Sequence, residues 1–192
     1  MASRVFFSFH YEDVKTFRAN VVRKHSITKD KGDAGFFDAS LWEDAQRHGD
    51  DAVKRLVNLN LENTSVTCAL IGSATWSRRW VRYEILKSYD RGNALLGVHI
   101  NSIPDKNQQT FAQGRDPFGY LGFVVSDDGR THTYYEHNGS TWTVYRDLGP
   151  KATSYAREHW GKGFKLSGWV ACYDWTSNDG YNNFATWVDK AK

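Results

Sequence analysis

Three short and nearly unbroken apolar runs dominate the first half of the chain: Arg4–Phe9 (RVFFSF), Val66–Ile71 (VTCALI) and Ala94–Ile100 (ALLGVHI). A strand with one wet face alternates apolar and polar residues. Runs that are apolar at both parities must be buried on both faces, as in a parallel sheet covered by helices. The segments between the runs have helical spacing. Val14, Phe17, Val21 and Val22 recur on one face of a predicted helix. Glu12 and Asp13 stand at its start and Arg23, Lys24 and His25 at its end, as the helix dipole favours. A second helix opens at Asp50-Asp51 with Val53, Leu56 and Val57 on one face. A third is predicted over Trp80–Arg91 and stops at Gly92-Asn93. Lys29–Gly35 and Ala39–Gly49 read as loops, the latter carrying Trp42, with Phe36–Asp38 as a very short strand between them. This alternation predicts an α/β fold with right-handed crossovers about a central parallel sheet. Ligands in such sheets sit at the carboxyl ends of the strands, which directs attention to the loops after Phe9, Asp38 and Ile71.

The pattern changes near residue 101. Asn101–Pro117 is polar and loop-like, and Phe123–Val125, Thr131–Glu136 and Thr141–Tyr145 then read as short strands. Asp128-Gly129 and Asn138-Gly139 are hairpin-turn signals between them. Lys151–Lys192 is mixed and rich in Trp and Tyr. A chain of 192 residues supports one core with an appendage rather than two ordinary domains. The expectation is a core over residues 1–100 and a β-hairpin-containing elaboration over 101–192 packed on it as a single structural unit.

Several function classes are disfavoured. The net charge of +3 is mild and the basic residues are dispersed, which predicts no nucleic-acid face. No apolar run approaches the roughly 20 residues of a membrane span, and no signal-peptide apolar region follows the N-terminus, so a cytoplasmic location is expected. Cys68 lies inside an apolar run far from Cys172, and no disulfide is expected. No G-x-G-x-x-G follows the first strand, and Trp160-Gly161-Lys162-Gly163 lacks P-loop spacing. The 7 histidines show no metal-ligand spacing, so no metal is expected. Gly72-Ser73 is not a nucleophile elbow. A phospho-acceptor receiver needs an Asp ending its central strand, where this chain has Ile71-Gly72-Ser73.

What remains is a constellation at the strand ends. Phe6-Phe7-Ser8-Phe9-His10-Tyr11 leads to Asp13, Phe36-Phe37-Asp38-Ala39-Ser40-Leu41-Trp42 forms a second group, and Gly72 to Trp80 (GSATWSRRW) runs into Glu84. RVFFSFHYED resembles the first strand and loop of a TIR domain, in which an aromatic-rich strand ends in Ser followed by a polar residue and an acid. IGSATWSRRWVRYEI resembles the TIR block in which a Trp precedes a Glu on the following helix. FFSFHYED, FDASLWEDA, TSVTCALIGS and RRWVRYEI together are similar to the Thoeris antiphage branch of the TIR-domain family. The resemblance covers residues 1–100 and continues weakly through DPFGYLG and YDW. It implies a flavodoxin-like three-layer TIR sandwich. It also implies an enzyme with NAD as substrate rather than cofactor, and Glu84 as the catalytic carboxylate. The implied product is a cyclic ADP-ribose isomer, or a related ADP-ribose conjugate, made on phage infection. That product would activate a separate, ThsA-like effector protein. A phage protein as trigger and homo-oligomeric assembly are also implied.

The residues carry a physical reading beside that resemblance. Trp80 and Glu84 are four apart and share a helix face, with Val81 and Ile85 as the apolar stripe toward the sheet. Losing nicotinamide builds positive charge on the ribose carbon, and one carboxylate facing that carbon stabilises it. Phe6, Phe37, Trp42 and Trp76 are candidates to stack on the bases and exclude water. Ser8, His10, Asp38 and Ser73 are candidates for ribose or phosphate, and Arg78 and Arg79 for the diphosphate. Glu12 and Asp13 read as helix-start acids. Each residue also has an ordinary structural reading: Glu84 as a solvated helix carboxylate, one of Phe6 and Phe7 as core, the tryptophans as packing. Two other functions stay open: a non-catalytic TIR adaptor working by TIR–TIR association, and, more weakly, a receiver-like switch.

Overall fold

The computed structural model describes residues 4–29 and 39–192. The expected strand Phe36–Asp38 and the candidates Phe37 and Asp38 lie outside the described residues. Strand β1 (Val5–Ser8) is buried along its whole length, as are β2 (Val66–Ile71) and nearly all of β3 (Ala94–His99). They are the three apolar runs, and they pair in parallel with β2 in the middle: Val5 lies opposite Val66, and Val66 opposite Ala94. A fourth strand, β9 (Cys172–Asp174), pairs in parallel with β3, placing Gly97 beside Cys172 and His99 beside Asp174. The sequence reading did not foresee β9. It is three residues long and half-buried, too short to carry a periodic signal.

Helices cover both faces of this sheet. α3 (Ala39–Arg47), α4 (Asp50–Leu61) and α5 (Arg79–Arg91) lie on one side, where Phe6, Ala69 and Ile71 pack with Val53, Val57, Leu61, Val81 and Ile85. α2 (Arg18–Lys29) and α6 (Gly180–Lys190) cover the other, where Phe7, Cys68, Leu70 and Val98 meet Ala19, Val22, Phe184 and Trp187. The result is the three-layer α/β sandwich that buried parallel strands require. α5 ends as expected at Gly92, whose left-handed φ of 86° lets its N–H reach back to the last turn.

Two expectations are corrected. The predicted helix from Glu12 is two helices, α1 (Tyr11–Lys15) and α2, broken at Phe17, which takes a positive φ of 65°. Phe17 and Val21 are exposed, and the buried face of α2 is Arg18, Ala19, Val22 and Arg23. The segment read as the loop Ala39–Gly49 is mostly the helix α3. Trp42 and Ala45, three apart, are its core-facing positions, and the acids around them masked the period.

Arg18 explains how the polar stretch after β3 is held. Its buried guanidinium donates to the carbonyls of Ile103 (2.8 Å) and Gln109 (2.7 Å), pairs with Asp105 at 3.5 Å and lies 4.2 Å from the Phe111 ring. A planar fork of donors suits two carbonyls and a carboxylate at once.

The C-terminal half also forms an antiparallel sheet, in the order β6 (Trp142–Val144), β5 (Thr131–His137), β4 (Leu121–Val125), β8 (Gly163–Lys165), with β7 (Lys151–Ala152) also on β5. The expected turns are present, Gly129 and Gly139 having φ of 70° and 101°. This sheet packs on α5. Arg82 pairs with Glu136 at 2.6 Å, the Tyr134 hydroxyl donates to Asp90, and Tyr89 stacks on Phe123 at 5.5 Å. Tyr134 and Tyr145 join the same buried cluster as Phe6 and Ile85, so the two sheets share one core through α5.

Candidate active site

Glu84 lies in the second turn of α5, only 3% exposed. Its helix is fixed in register from below. Thr67 on β2 donates to the Ser88 hydroxyl (2.8 Å), and that hydroxyl donates to the Glu84 carbonyl (2.6 Å). The carboxyl itself points at the carboxyl end of β1, where the Ser8 hydroxyl donates to Oε2 across 2.5 Å. Burial pushes the Glu84 carboxyl up to about 8, and the Ser8 hydrogen bond draws it back in part. A carboxyl so perturbed beside a cleft is a candidate functional group.

The cleft is a cavity of about 410 Å³ between β1, α1, α2, α3 and α5. Phe7, Phe9, Trp42, Trp80 and Val81 supply its apolar wall. The Trp42 and Trp80 rings meet edge to face at 6.4 Å. His10, Arg23, Arg78 and Arg79 bring nitrogen donors to the same space. The His10 imidazole is lowered by burial and then by the Arg78 charge, so at neutral pH it is an uncharged donor or acceptor. Burial lowers Arg23 to about 10, which leaves it a cation at neutral pH. Arg79 stands at the rim, pairing with Asp50 at 2.7 Å and Asp147 at 3.3 Å over the face of Trp80.

Of the residues singled out from sequence, Glu84, Ser8, His10, Trp42 and Arg79 come together here. Phe6 is buried behind the strand among the α4 and α5 side chains. Ser73 is exposed, beyond the end of β2, and does not line the cavity. Trp76 packs on Tyr120 at 4.6 Å and under Arg115 at 4.9 Å, toward the antiparallel sheet. Glu84 therefore meets the end of β1 at Ser8 rather than the end of β2 at Ser73. Of Phe6 and Phe7, at least one of which was expected to be core, Phe7 lines the cavity, while Phe9, Tyr11, Arg23, Glu43 and Gln46 were missed. Strand alternation carried a signal for Phe9, since it shares with Phe7 the face opposite Phe6 and Ser8. Glu43 and Gln46 became legible only with α3.

The arrangement is an aromatic slot with a neutral carboxyl at its wall and the guanidinium groups of Arg23, Arg78 and Arg79 around it. Aromatic walls can stack on a flat ring, and guanidinium groups can meet an anion. No group of three or more His, Cys, Asp or Glu able to hold a metal occurs among the described residues, and none of their helices is long and apolar enough to cross a membrane.

Comparison with known proteins places the chain in a family. Residues 6–105 match the model of the family described as Thoeris protein ThsB, TIR-like domain. A Bacillus cereus protein named "Putative cyclic ADP-D-ribose synthase ThsB1" is 53% identical over 192 residues, covering 98% of this chain and 100% of the relative. The matched segment contains β1 from Phe6 onward, the Ser8–Glu84 pair and the residues lining the cavity. The chain belongs to the Thoeris ThsB TIR-like domain family.

Proposed function

We propose that this protein breaks the nicotinamide–ribose bond of NAD and closes the remaining ADP-ribose into a cyclic isomer that serves as an antiphage signal. The observation that carries the proposal is the buried Glu84 carboxyl, held by Ser8 at the wall of an aromatic cavity. The name of the Bacillus cereus relative, a cyclic ADP-D-ribose synthase, supports the same chemistry.

Nicotinamide in NAD is a cation, and its charge beside Glu84 favours the ionised carboxylate in the complex. As the bond between the ribose carbon and the pyridinium nitrogen breaks, the electron pair leaves with nicotinamide, which departs neutral. Positive charge then grows on the ribose carbon, facing Glu84. A hydroxyl of the same molecule attacks that carbon and closes the ring, and its proton passes to the carboxylate. Attack by water instead gives linear ADP-ribose. Phe7, Phe9, Trp42 and Trp80 exclude water and so favour closure. Ser8 orients the carboxylate, and His10 and the arginines hold sugar and phosphate. The product acts on a separate, ThsA-like effector in the cytoplasm, under a phage-derived trigger and in a homo-oligomer.

The test is NAD consumption by wild type and Glu84→Gln, with mass spectrometry of the product. Wild type releases nicotinamide and a cyclic product under a phage-derived trigger, and Glu84→Gln is slower by on the order of 10²–10³. Equal rates would overturn the assignment of Glu84.

A further inference from the structure

Beside the Glu84 cavity lies a second, open groove of about 550 Å³, lined by Ser77, Arg79, Arg82, Glu136, Thr143, Val144, Tyr145, Arg146 and Asp147. It is built where α5 meets the antiparallel sheet, and Arg79 lines both spaces. Three features set it apart from an ordinary surface cleft. Tyr145 is 2% exposed, and its hydroxyl has no hydrogen-bond partner among the described residues. An orphaned buried hydroxyl is costly, so its lining of a polar groove points to a partner that arrives from outside. Arg146 is exposed and makes no ion pair among the described residues, whereas Arg79 and Arg82 are already oriented by Asp50, Asp147 and Glu136. Finally, Asp147 and Glu136 stand among the guanidinium groups, and Lys54 also donates to Asp147 at 2.8 Å.

Guanidinium groups for phosphate, carboxylates that accept from a vicinal diol, and hydroxyls between them are the complement of a ribose phosphate. The geometry points to this groove as the subsite for the adenosine-side ribose and diphosphate of the dinucleotide, with Arg79 at the junction of the two halves. The inference rests on the proposed reading of the Glu84 cavity and extends it. That cavity alone is at the lower end of the ~300–1,000 Å³ typical of small-ligand sites, and a dinucleotide has a second nucleoside to place. It also gives residues 131–147 a role in the reaction. They hold the far end of the substrate and so set which of its hydroxyls reaches the ribose carbon.

The experiment is calorimetric titration of the full-length protein with ADP, which carries the ribose and diphosphate but no nicotinamide. Wild type binds ADP saturably. Arg146→Glu, an exposed change compatible with folding, weakens that binding at least tenfold, and Tyr145→Phe weakens it several-fold without lowering the melting temperature. No ADP binding by wild type overturns the inference. ADP binding equally tight in both variants also overturns it, as does Tyr145→Phe that only raises the melting temperature. NAD turnover is followed in parallel. Arg146-dependent ADP binding by a wild type that leaves NAD intact even under the phage-derived trigger would keep the groove and remove the enzymatic reading instead.

Discussion

The Ser8 hydroxyl donates to the Glu84 carboxyl across 2.5 Å, tying the last residue of β1 to the second turn of α5. It is a polar link between the sheet and its helix, and it favours the ionised carboxylate against the pull of burial. Ser8→Ala removes that help. The carboxyl then holds its proton to higher pH, and the alkaline rise of kcat/KM for NAD moves up by roughly one unit. At pH 7 the rate falls about tenfold. A pH–rate profile that keeps its midpoint in Ser8→Ala would show that the bond does not tune Glu84.

In wild type the same carboxyl sets opposite trends for activity and stability. With its value near 8 in the folded protein, kcat/KM for NAD rises with pH and levels off above that value. Stability runs the other way. The folded state binds this proton more tightly than the unfolded chain does. The contribution is therefore complete below pH ~4.5 and is lost as pH rises toward about 8. Glu84→Gln lacks this loss. Urea melts at about pH 5 and pH 8.5 should show the variant gaining on wild type at the higher pH. A gap that does not change with pH counts against a buried carboxyl.

Trp42→Ala opens the cavity wall that Trp42 and Trp80 close edge to face. Total NAD consumption stays within about tenfold, since charge stabilisation at Glu84 is retained. The product shifts from the cyclic form toward linear ADP-ribose, because water now competes for the ribose carbon. Chromatography of the products gives the ratio, and an unchanged ratio would remove Trp42 from the water barrier.

Arg18→Met tests the clamp on the segment after β3. It strands the carbonyls of Ile103 and Gln109 and removes the guanidinium beside Asp105, which keeps its hydrogen bonds from the Asn107 and Gln109 N–H groups. Leaving a buried carbonyl without its donor costs about 1–3 kcal/mol. For a chain of this size that lowers the melting temperature by roughly 2–12 °C. Calorimetry reads it directly, and a loss below about 1 kcal/mol would mean the loop is held by other contacts.

The parallel sheet was legible because burial on both faces leaves an unmistakable composition in RVFFSF, VTCALI and ALLGVHI. Glu84 was legible through its distance from Trp80 and the family resemblance. The break at Phe17 was not, since a left-handed φ at a bulky residue is imposed by tertiary structure and has no local propensity behind it. α3 was hidden by its charges, and with it Glu43 and Gln46. Ser73 and Trp76 looked attractive because they are near Glu84 in sequence, yet the turn Thr75–Ser77 carries Trp76 toward Tyr120 and Arg115. The partner of Glu84 is set by which strand its helix crosses, which sequence spacing does not encode.

The parallel pairing of Cys172–Asp174 with β3 has a consequence for biogenesis. While the polypeptide is being made, the outer edge of β3 lacks this neighbour until residues 172–174 have been translated. Nascent chains therefore present an open, apolar strand edge to other nascent chains.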